Sequence, residues 1–309
     1  MAEQHIPVLL KEVIEGLNIK KDGIYVDLTI GRGGHSEQIL KRLSSSGLLI
    51  GVDQDETAII ESTARLSKVS DNFKIVRSNF VNIDEILKGL NIDKVDGILM
   101  DLGVSSPQFD NPERGFSYRY DSPLDMRMDQ RNSLTAADIV NGYSEKELFE
   151  IFRDYGEEKY SYSIAKNICK YRENKRIETT FELVDIIKRS KPAKELKKVG
   201  HPAKQIFQAL RIAVNDELNV LKVALEKTVN HLKPGGRLAV ITFHSGEDKI
   251  VKQFFKKMAV VEGNRYDLPL TTQETDYRLV NTKAISPSKE ELEINHRSAS
   301  SKLRIIERK

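Results

Sequence analysis

The stretch from Ile24 to His35 constrains the fold most. A β-branched and aromatic run, Ile24-Tyr25-Val26-Asp27-Leu28, passes into a glycine cluster at Gly31, Gly33 and Gly34. Ile39, Leu40 and Leu43 then recur at helical spacing. The first run predicts a strand and the last a helix. A strand that turns through glycines into a helix aims backbone N–H groups past the strand's end, where a nucleotide-like ligand can meet them. Such a strand needs parallel partners, and they follow. Leu48 to Asp53 is apolar throughout and ends in an acid, as expected of a strand buried on both faces. Phe73 to Val76 and Val95 to Leu102 predict two more strands, with helices at Thr57 to Leu66 and Val81 to Leu90 between them. A lead-in helix is expected within His5 to Leu17, where His5 itself reads as a packing or loop residue. Strand and helix alternating over short links predict an α/β fold with a doubly wound, mostly parallel, Rossmann-like sheet.

The alternation then stops. The next clear strand is Arg237 to Phe243, after the turn Lys233-Pro234-Gly235-Gly236. It lies about 135 residues beyond Asp101, where one crossover needs about 20 to 30. The surplus of about 100 residues predicts an inserted α-helical domain. Its helices are expected at Thr135 to Asn141, Glu145 to Tyr155, Lys159 to Tyr171 and Thr179 to Ser190, with one long helix from Ala203 to Leu232 returning to the sheet. The expected organisation is a sheet domain made of residues 1–108 and 213–309 around an insertion at 109–212. A helix running on from His244 through Lys256 leads into a polar loop, and Tyr277 to Ala284 and Lys302 to Glu307 predict a last antiparallel pair at one edge.

Composition excludes several classes. No apolar run approaches the roughly 18 residues of a membrane helix, and the N-terminus reads as lacking a signal peptide. The single cysteine, Cys169, allows no internal disulfide and no cysteine-based zinc site. His201 and His244 have no partner at ligand spacing, so no metal is expected. A cytoplasmic setting without membrane contact follows, and the oligomeric state stays open, a homodimer included.

The glycine loop narrows the ligand. A dinucleotide fingerprint needs G-x-G-x-x-G, and here the third position is Ser36. A phosphate-cradling G-x-x-x-x-G-K-[ST] loop is absent from the sequence. The alternative is S-adenosylmethionine, whose methionine tail Asp27 and Thr29 could meet. Asp53, 20 residues past Gly33, suits the ribose hydroxyls. Phe80 suits stacking on adenine, or the core. Asp101 ends the fourth strand, where ligands of open α/β sheets sit. Ser106-Pro107-Gln108-Phe109 has the shape of the (D/N/S)-P-P-(Y/F) loop of amino-methyltransferases, with Gln108 in place of the second proline. Such enzymes accept hydrogen bonds from an exocyclic amine and so aim its lone pair, and positioning supplies much of the rate.

Two further stretches suggest nucleic acid. Arg114 to Asp129 mixes aromatic and arginine side chains without periodicity, as a loop that stacks on unpaired bases would, or as a self-packed loop with Arg–Asp pairs. Ile186 to Lys204 carries seven Lys/Arg (188, 189, 191, 194, 197, 198, 204) against Glu195, a net +6 suited to phosphates. His244, after a strand end, is a further site candidate.

Together, Gly31-Arg32-Gly33-Gly34-His35-Ser36, Asp101 to Gln108, Arg114 to Ser117, Pro123 to Asp129 and Phe243-His244-Ser245 resemble the bacterial small-subunit ribosomal RNA cytosine N(4)-methyltransferases. The resemblance covers nearly the whole chain. It implies a class I methyltransferase fold with a helical insertion, S-adenosylmethionine as donor, and methylation of a decoding-site cytidine in the assembled small ribosomal subunit. By position it implies cofactor contacts at Gly33, Gly34, His35, Asp53, Phe80, Asp101 and Gln108, and Ser106 and Pro107 are the candidates for holding the amine. Gly246 stands where a larger apolar residue is expected, and His296 where proline is expected. The competing readings are a DNA or small-amine methyltransferase and a non-enzymatic assembly factor.

Overall fold

The computed structural model describes residues 6–260 and 275–309, with Ser106 and Pro107 described in backbone only. His5 and most of the polar loop expected after Lys256 lie outside the described residues. The elements run α1 (Leu10–Leu17), β1 (Ile24–Asp27), α2 (Gly34–Leu40), β2 (Leu48–Asp53), α3 (Glu56–Leu66), β3 (Phe73–Arg77), α4 (Ile83–Gly89) and β4 (Val95–Asp101). There follow α5 (Ser106–Asp110), α6 (Ala136–Gly142), α7 (Glu145–Asp154), α8 (Ser161–Arg172), α9 (Thr180–Arg189), α10 (Ala193–Leu196) and α11 (Lys204–Asn215). The chain ends with α12 (Glu217–Asn230), β5 (Leu232–Thr242), α13 (Ser245–Ala259), β6 (Tyr277–Leu279), α14 (Lys289–Ile294) and β7 (Lys302–Arg308). It divides into two compact units, Met1–Gly103 with Leu218–Lys309, and Val104–Glu217.

The first unit is built on a seven-stranded sheet of order β3-β2-β1-β4-β5-β7-β6. β1 to β5 are parallel, and β7 runs antiparallel to both β5 and β6. This is the doubly wound sheet that the sequence predicts, with its antiparallel pair at one edge. Period-two alternation gives it two cores. Tyr25, Leu49, Leu99 and Ala239 face α1, α2 and α3, while Val26, Ile50, Ile98 and Val240 face α4, α12 and α13. The turn expected before β5 lies inside the strand. Val95 pairs with Leu232 and Gly97 with Arg237, so Lys233 to Gly236 bulge out opposite Asp96. Lys233 then bonds Asp96 at 2.8 Å.

The second unit is helical. Three of its helices open with capping boxes, Thr135 with Asp138, Ser144 with Glu147 and Thr179 with Glu182, the last legible in the sequence. Leu148, Phe152, Ile164, Leu183, Ile206 and Leu210 are fully buried at its centre.

One expectation fails here. The long helix from Ala203 to Leu232 is two helices, broken at Asp216, whose φ is 49°. The Asn215 side chain explains the break. Its amide donates to Met126 O at 2.9 Å and accepts from Met128 N at 2.8 Å. Arg211 reaches Glu217 across the break through two bonds of 2.8 and 3.0 Å. These bonds hold the end of α11, and aspartate is among the residues that tolerate the left-handed region.

Candidate active site

In the first unit, Asp27, Asp53 and Asp101 are the last residues of β1, β2 and β4. The strand order reverses between β1 and β4, the switch point outside which open α/β sheets bind ligands. Leu28 N donates to Leu99 O at 2.9 Å, and Asp101 N donates to Thr29 Oγ1 at 2.6 Å, so the two strand ends are laced together. The loop beyond β1 turns at Gly31 and Gly33, with φ of 49° and 75°, a conformation glycine adopts without a side-chain clash.

Each carboxylate has its own environment. Asp27 is 1% exposed and holds the loop: Oδ2 accepts from Ser36 Oγ at 2.7 Å and Oδ1 from Thr29 N at 3.2 Å. Asp27 and Thr29, expected to meet a methionine tail, thus have polar groups engaged by the loop and by the end of β4. Asp53 accepts from Gly31 N at 3.0 Å and from Asp55 N at 2.9 Å, which leaves lone pairs on both oxygens. Burial pushes Asp27 and Asp53 up to about 6 each. Asp101 is raised well above the usual range, first by burial and then by the charges of Asp27 and Glu247. Its Oδ1 is buried without a hydrogen-bond partner among the described residues. Its Oδ2 lies 3.6 Å from His35 Nδ1, beyond hydrogen-bond length. The other nitrogen of that ring, Nε2, is 2.8 Å from Val8 O. A carbonyl can only accept, so Nε2 carries the hydrogen.

A site that gathers three strand-end carboxylates, Asp27 buried and Asp53 and Asp101 partly exposed, suits a cationic ligand and repels a pyrophosphate. Asp101 Oδ1, buried and without a partner among the described residues, costs free energy until a donor reaches it. The missing third glycine and this charge point the same way.

The family model described as the MraW methylase family matches residues 2–309. The chain belongs to the MraW methylase family. Its relatives include the protein named Ribosomal RNA small subunit methyltransferase H of Mesoplasma florum, 57% identical over 99% of this chain and 100% of that one. Among solved structures, an rRNA methylase from Streptococcus thermophilus matches at a TM-score of 0.43 and 14% identity, covering 98% of both chains. A SAM-dependent O-methyltransferase from Thermotoga maritima matches at 0.42 and 9% identity, covering 99% of this chain and 68% of that one.

In this MraW-family chain the remaining predicted residues fall as follows. Phe80 opens a single 3₁₀ turn whose Asn79 side chain accepts from Val81 N at 3.0 Å; the ring lies partly buried against the core of α4. His244 caps α13, and Glu247, 2% exposed, accepts from Phe243 N at 2.7 Å. Glu247 was not singled out from the sequence, because its cap residue is His244 and not the Ser, Thr, Asp or Asn that marks a capping box. Gly246 has a local reason: a Cβ there would sit 3.2 Å from the His244 ring. His296 is the exposed first residue of a 3₁₀ turn.

In the second unit, Ser106 to Asp110 form a short helix, not a loop. Gln108 is 5% exposed and its Oε1 accepts from Ser105 N at 3.1 Å. The side chains of Ser106 and Pro107 lie outside the described set. The Arg114 to Asp129 loop is largely self-packed. Arg114, Phe116, Leu124, Met126 and Met128 are buried, and Arg127 pairs with Asp125 at 2.7 Å. Arg119, Tyr120 and Asp121 form its exposed tip. The basic run also divides. Lys191 is buried, bonded to Glu158 Oε2 at 2.6 Å and Pro202 O at 2.7 Å, so it is structural and not a phosphate contact. The other six cations are exposed.

Among the described residues, no helix is long and apolar enough to cross a membrane, and no group of three or more His, Cys, Asp or Glu is placed to hold a metal.

Proposed function

We propose that the chain transfers the methyl group of S-adenosylmethionine to the exocyclic N4 amine of a decoding-region cytidine in the RNA of the assembled small ribosomal subunit, in the cytoplasm. The observation that carries this reading is full-length identity of 57% to a protein named Ribosomal RNA small subunit methyltransferase H. The donor's chemistry fits the residues present, because a buried carboxylate oxygen without a partner among the described residues, Asp101 Oδ1, suits its ammonium group. Bound there, S-adenosylmethionine supplies an electrophilic methyl group on a sulfonium.

The chain's own residues do the rest. Asp53 accepts from ribose hydroxyls with its remaining lone pairs. Gly33 and Gly34 let the backbone approach closely, His35 stands beside Asp101 at the donor's edge, and Phe80 offers a ring to adenine. Ser106 and the backbone carbonyl beside Pro107 accept from the cytosine amine, with Gln108 bracing that turn. An amine held by two acceptors has its lone pair aimed, which is where positioning lowers the barrier. The base must be unpaired or flipped out to be held in this way.

The carboxylates make donor binding pH-dependent. Asp27 and Asp53 have folded pKa values of about 6 against 3.8 unperturbed. Their raised values stabilise the unliganded fold fully at low pH, and that contribution is lost as pH rises through about 6. A cation selects the ionised forms, so donor affinity rises between pH 5 and 7, and binding releases protons there. Calorimetry in buffers of different ionisation enthalpy reads that release; a donor that binds without it, at constant affinity, contradicts the assignment.

The acceptor is tested by incubating the protein with methyl-labelled donor and, separately, small ribosomal subunits, protein-free ribosomal RNA and duplex DNA. Label is expected in the small subunits. Label confined to DNA, or found nowhere, overturns the reading.

A further inference from the structure

The second unit carries a pair of rings that the proposed reaction does not use. Tyr118 and His201 lie face to face, with ring centroids 4.2 Å apart and planes 8° from parallel. Tyr118 in turn meets the buried Phe207 edge-on, at 5.6 Å and 86°. Tyr118, packed against the helical core, thus joins the buried Phe207 ring to the His201 ring. His201 is held in plane as well, since its Nδ1 accepts from Ala203 N at 3.2 Å. Both stacked rings are partly exposed, and the run 197–200 that leads into His201 is exposed at every residue.

The charge around these rings is positive. Burial, then the charges of Lys188, Arg119 and Lys191, hold the imidazole below its usual pKa. The ring therefore presents a neutral aromatic face at physiological pH, while Arg119 and Lys188 stand exposed beside it. Glu195, the one acid in the 186–204 run, is paired with Lys198 at 2.7 Å. A flat ring fixed in place and flanked by exposed cations is the combination that binds single-stranded nucleic acid, through stacking on a base and contact with its phosphates. An acidic peptide would use the cations but has no need of the fixed flat face.

We propose that the exposed part of His201, backed by Tyr118, is a stacking platform for an unpaired base of the RNA substrate, with Arg119 and Lys188 meeting the adjoining phosphates. The inference rests on the reading of the chain as an RNA methyltransferase. It assigns His201 to substrate positioning and not to the transfer itself.

Two substitutions separate stacking from helix capping. His201→Asn keeps an acceptor for the Ala203 amide and removes the ring; His201→Phe keeps a ring and removes the acceptor. Base–aromatic stacking of ordinary strength predicts that His201→Asn weakens binding of a fluorescein-labelled single-stranded RNA about tenfold. His201→Phe should stay within about threefold of wild type, and donor affinity should be unchanged in both. Wild-type RNA affinity in His201→Asn, or equal losses in both variants, overturns the platform. If His201→Asn does not fold, photocrosslinking of 4-thiouridine RNA to the wild-type protein replaces it; crosslinks at Tyr118 or His201 support the platform and their absence there overturns it. These readouts are of binding. A protein that binds RNA through His201 but methylates no cytidine defeats the proposed reaction alone, and one that methylates small subunits with the His201→Asn variant at wild-type KM defeats the platform alone.

Discussion

Replacing Asp101 with Asn is expected to weaken S-adenosylmethionine binding at least about 30-fold and, at the same time, to stabilise the unliganded protein at neutral pH. The first effect follows from removing one partner of a desolvated charged hydrogen bond, worth about 2–5 kcal/mol in binding. The second follows from what Asp101 costs the empty fold. Its carboxyl is raised well above the usual range by burial and by Asp27 and Glu247, and its Oδ1 has no partner among the described residues. A group whose folded pKa is raised favours the fold when protonated and opposes it when ionised, so the neutral isostere should gain about 1–3 kcal/mol at pH 7 and nothing at low pH. Calorimetry for the donor and thermal melts at pH 4 and pH 7 check both halves. Loss of binding together with loss of stability would instead make Asp101 a structural residue.

Replacing Lys191 with Ala is expected to cost about 3–5 kcal/mol, because it strands the Glu158 carboxylate in the interior. The two side chains are 7% and 2% exposed and meet at 2.6 Å, and Lys191 also donates to Pro202 O. The pair thus ties the segment that follows α9 to the turn before α8 and to the entry of α11. The double variant Lys191→Met with Glu158→Leu should recover most of that loss, since a buried pair replaced whole by apolar groups is often neutral. Full recovery is not expected: Glu158 Oε1 also accepts from Tyr160 N at 2.9 Å. Urea unfolding of the three variants reads the cycle, and a Lys191→Ala protein within about 1 kcal/mol of wild type would refute the role.

The two substitutions also mark what a sequence can and cannot tell. Parallel strands were legible because burial on both faces demands continuous apolar runs; Leu48 to Asp53 is found with the expected bounds. Asp53 and Asp101 were legible as strand-end acids, since the strand ends are where a doubly wound sheet meets its ligand. The partnerships were not. Lys191 sits among exposed lysines, and nothing local distinguishes the one that turns inward to Glu158, 33 positions away. The Arg114 to Asp129 loop has the composition of a base-stacking loop, yet Asp125 and Asp129 lock Arg127 and Arg131 through contacts two positions apart. The break at Asp216 was hidden because the apolar spacing continues across it, and only the distant carbonyl of Met126 and amide of Met128 show why Asn215 ends the helix.

The proposed reaction makes one product and no isomer of it. Small ribosomal subunits lacking the modification, incubated with the protein and S-adenosylmethionine, digested to nucleosides and resolved by chromatography with mass spectrometry, should yield N4-methylcytidine. The Asp101→Asn protein at the same donor concentration should yield little. C5-methylcytidine, a ribose-methylated nucleoside, or no methylated cytidine with the wild-type protein would contradict the account.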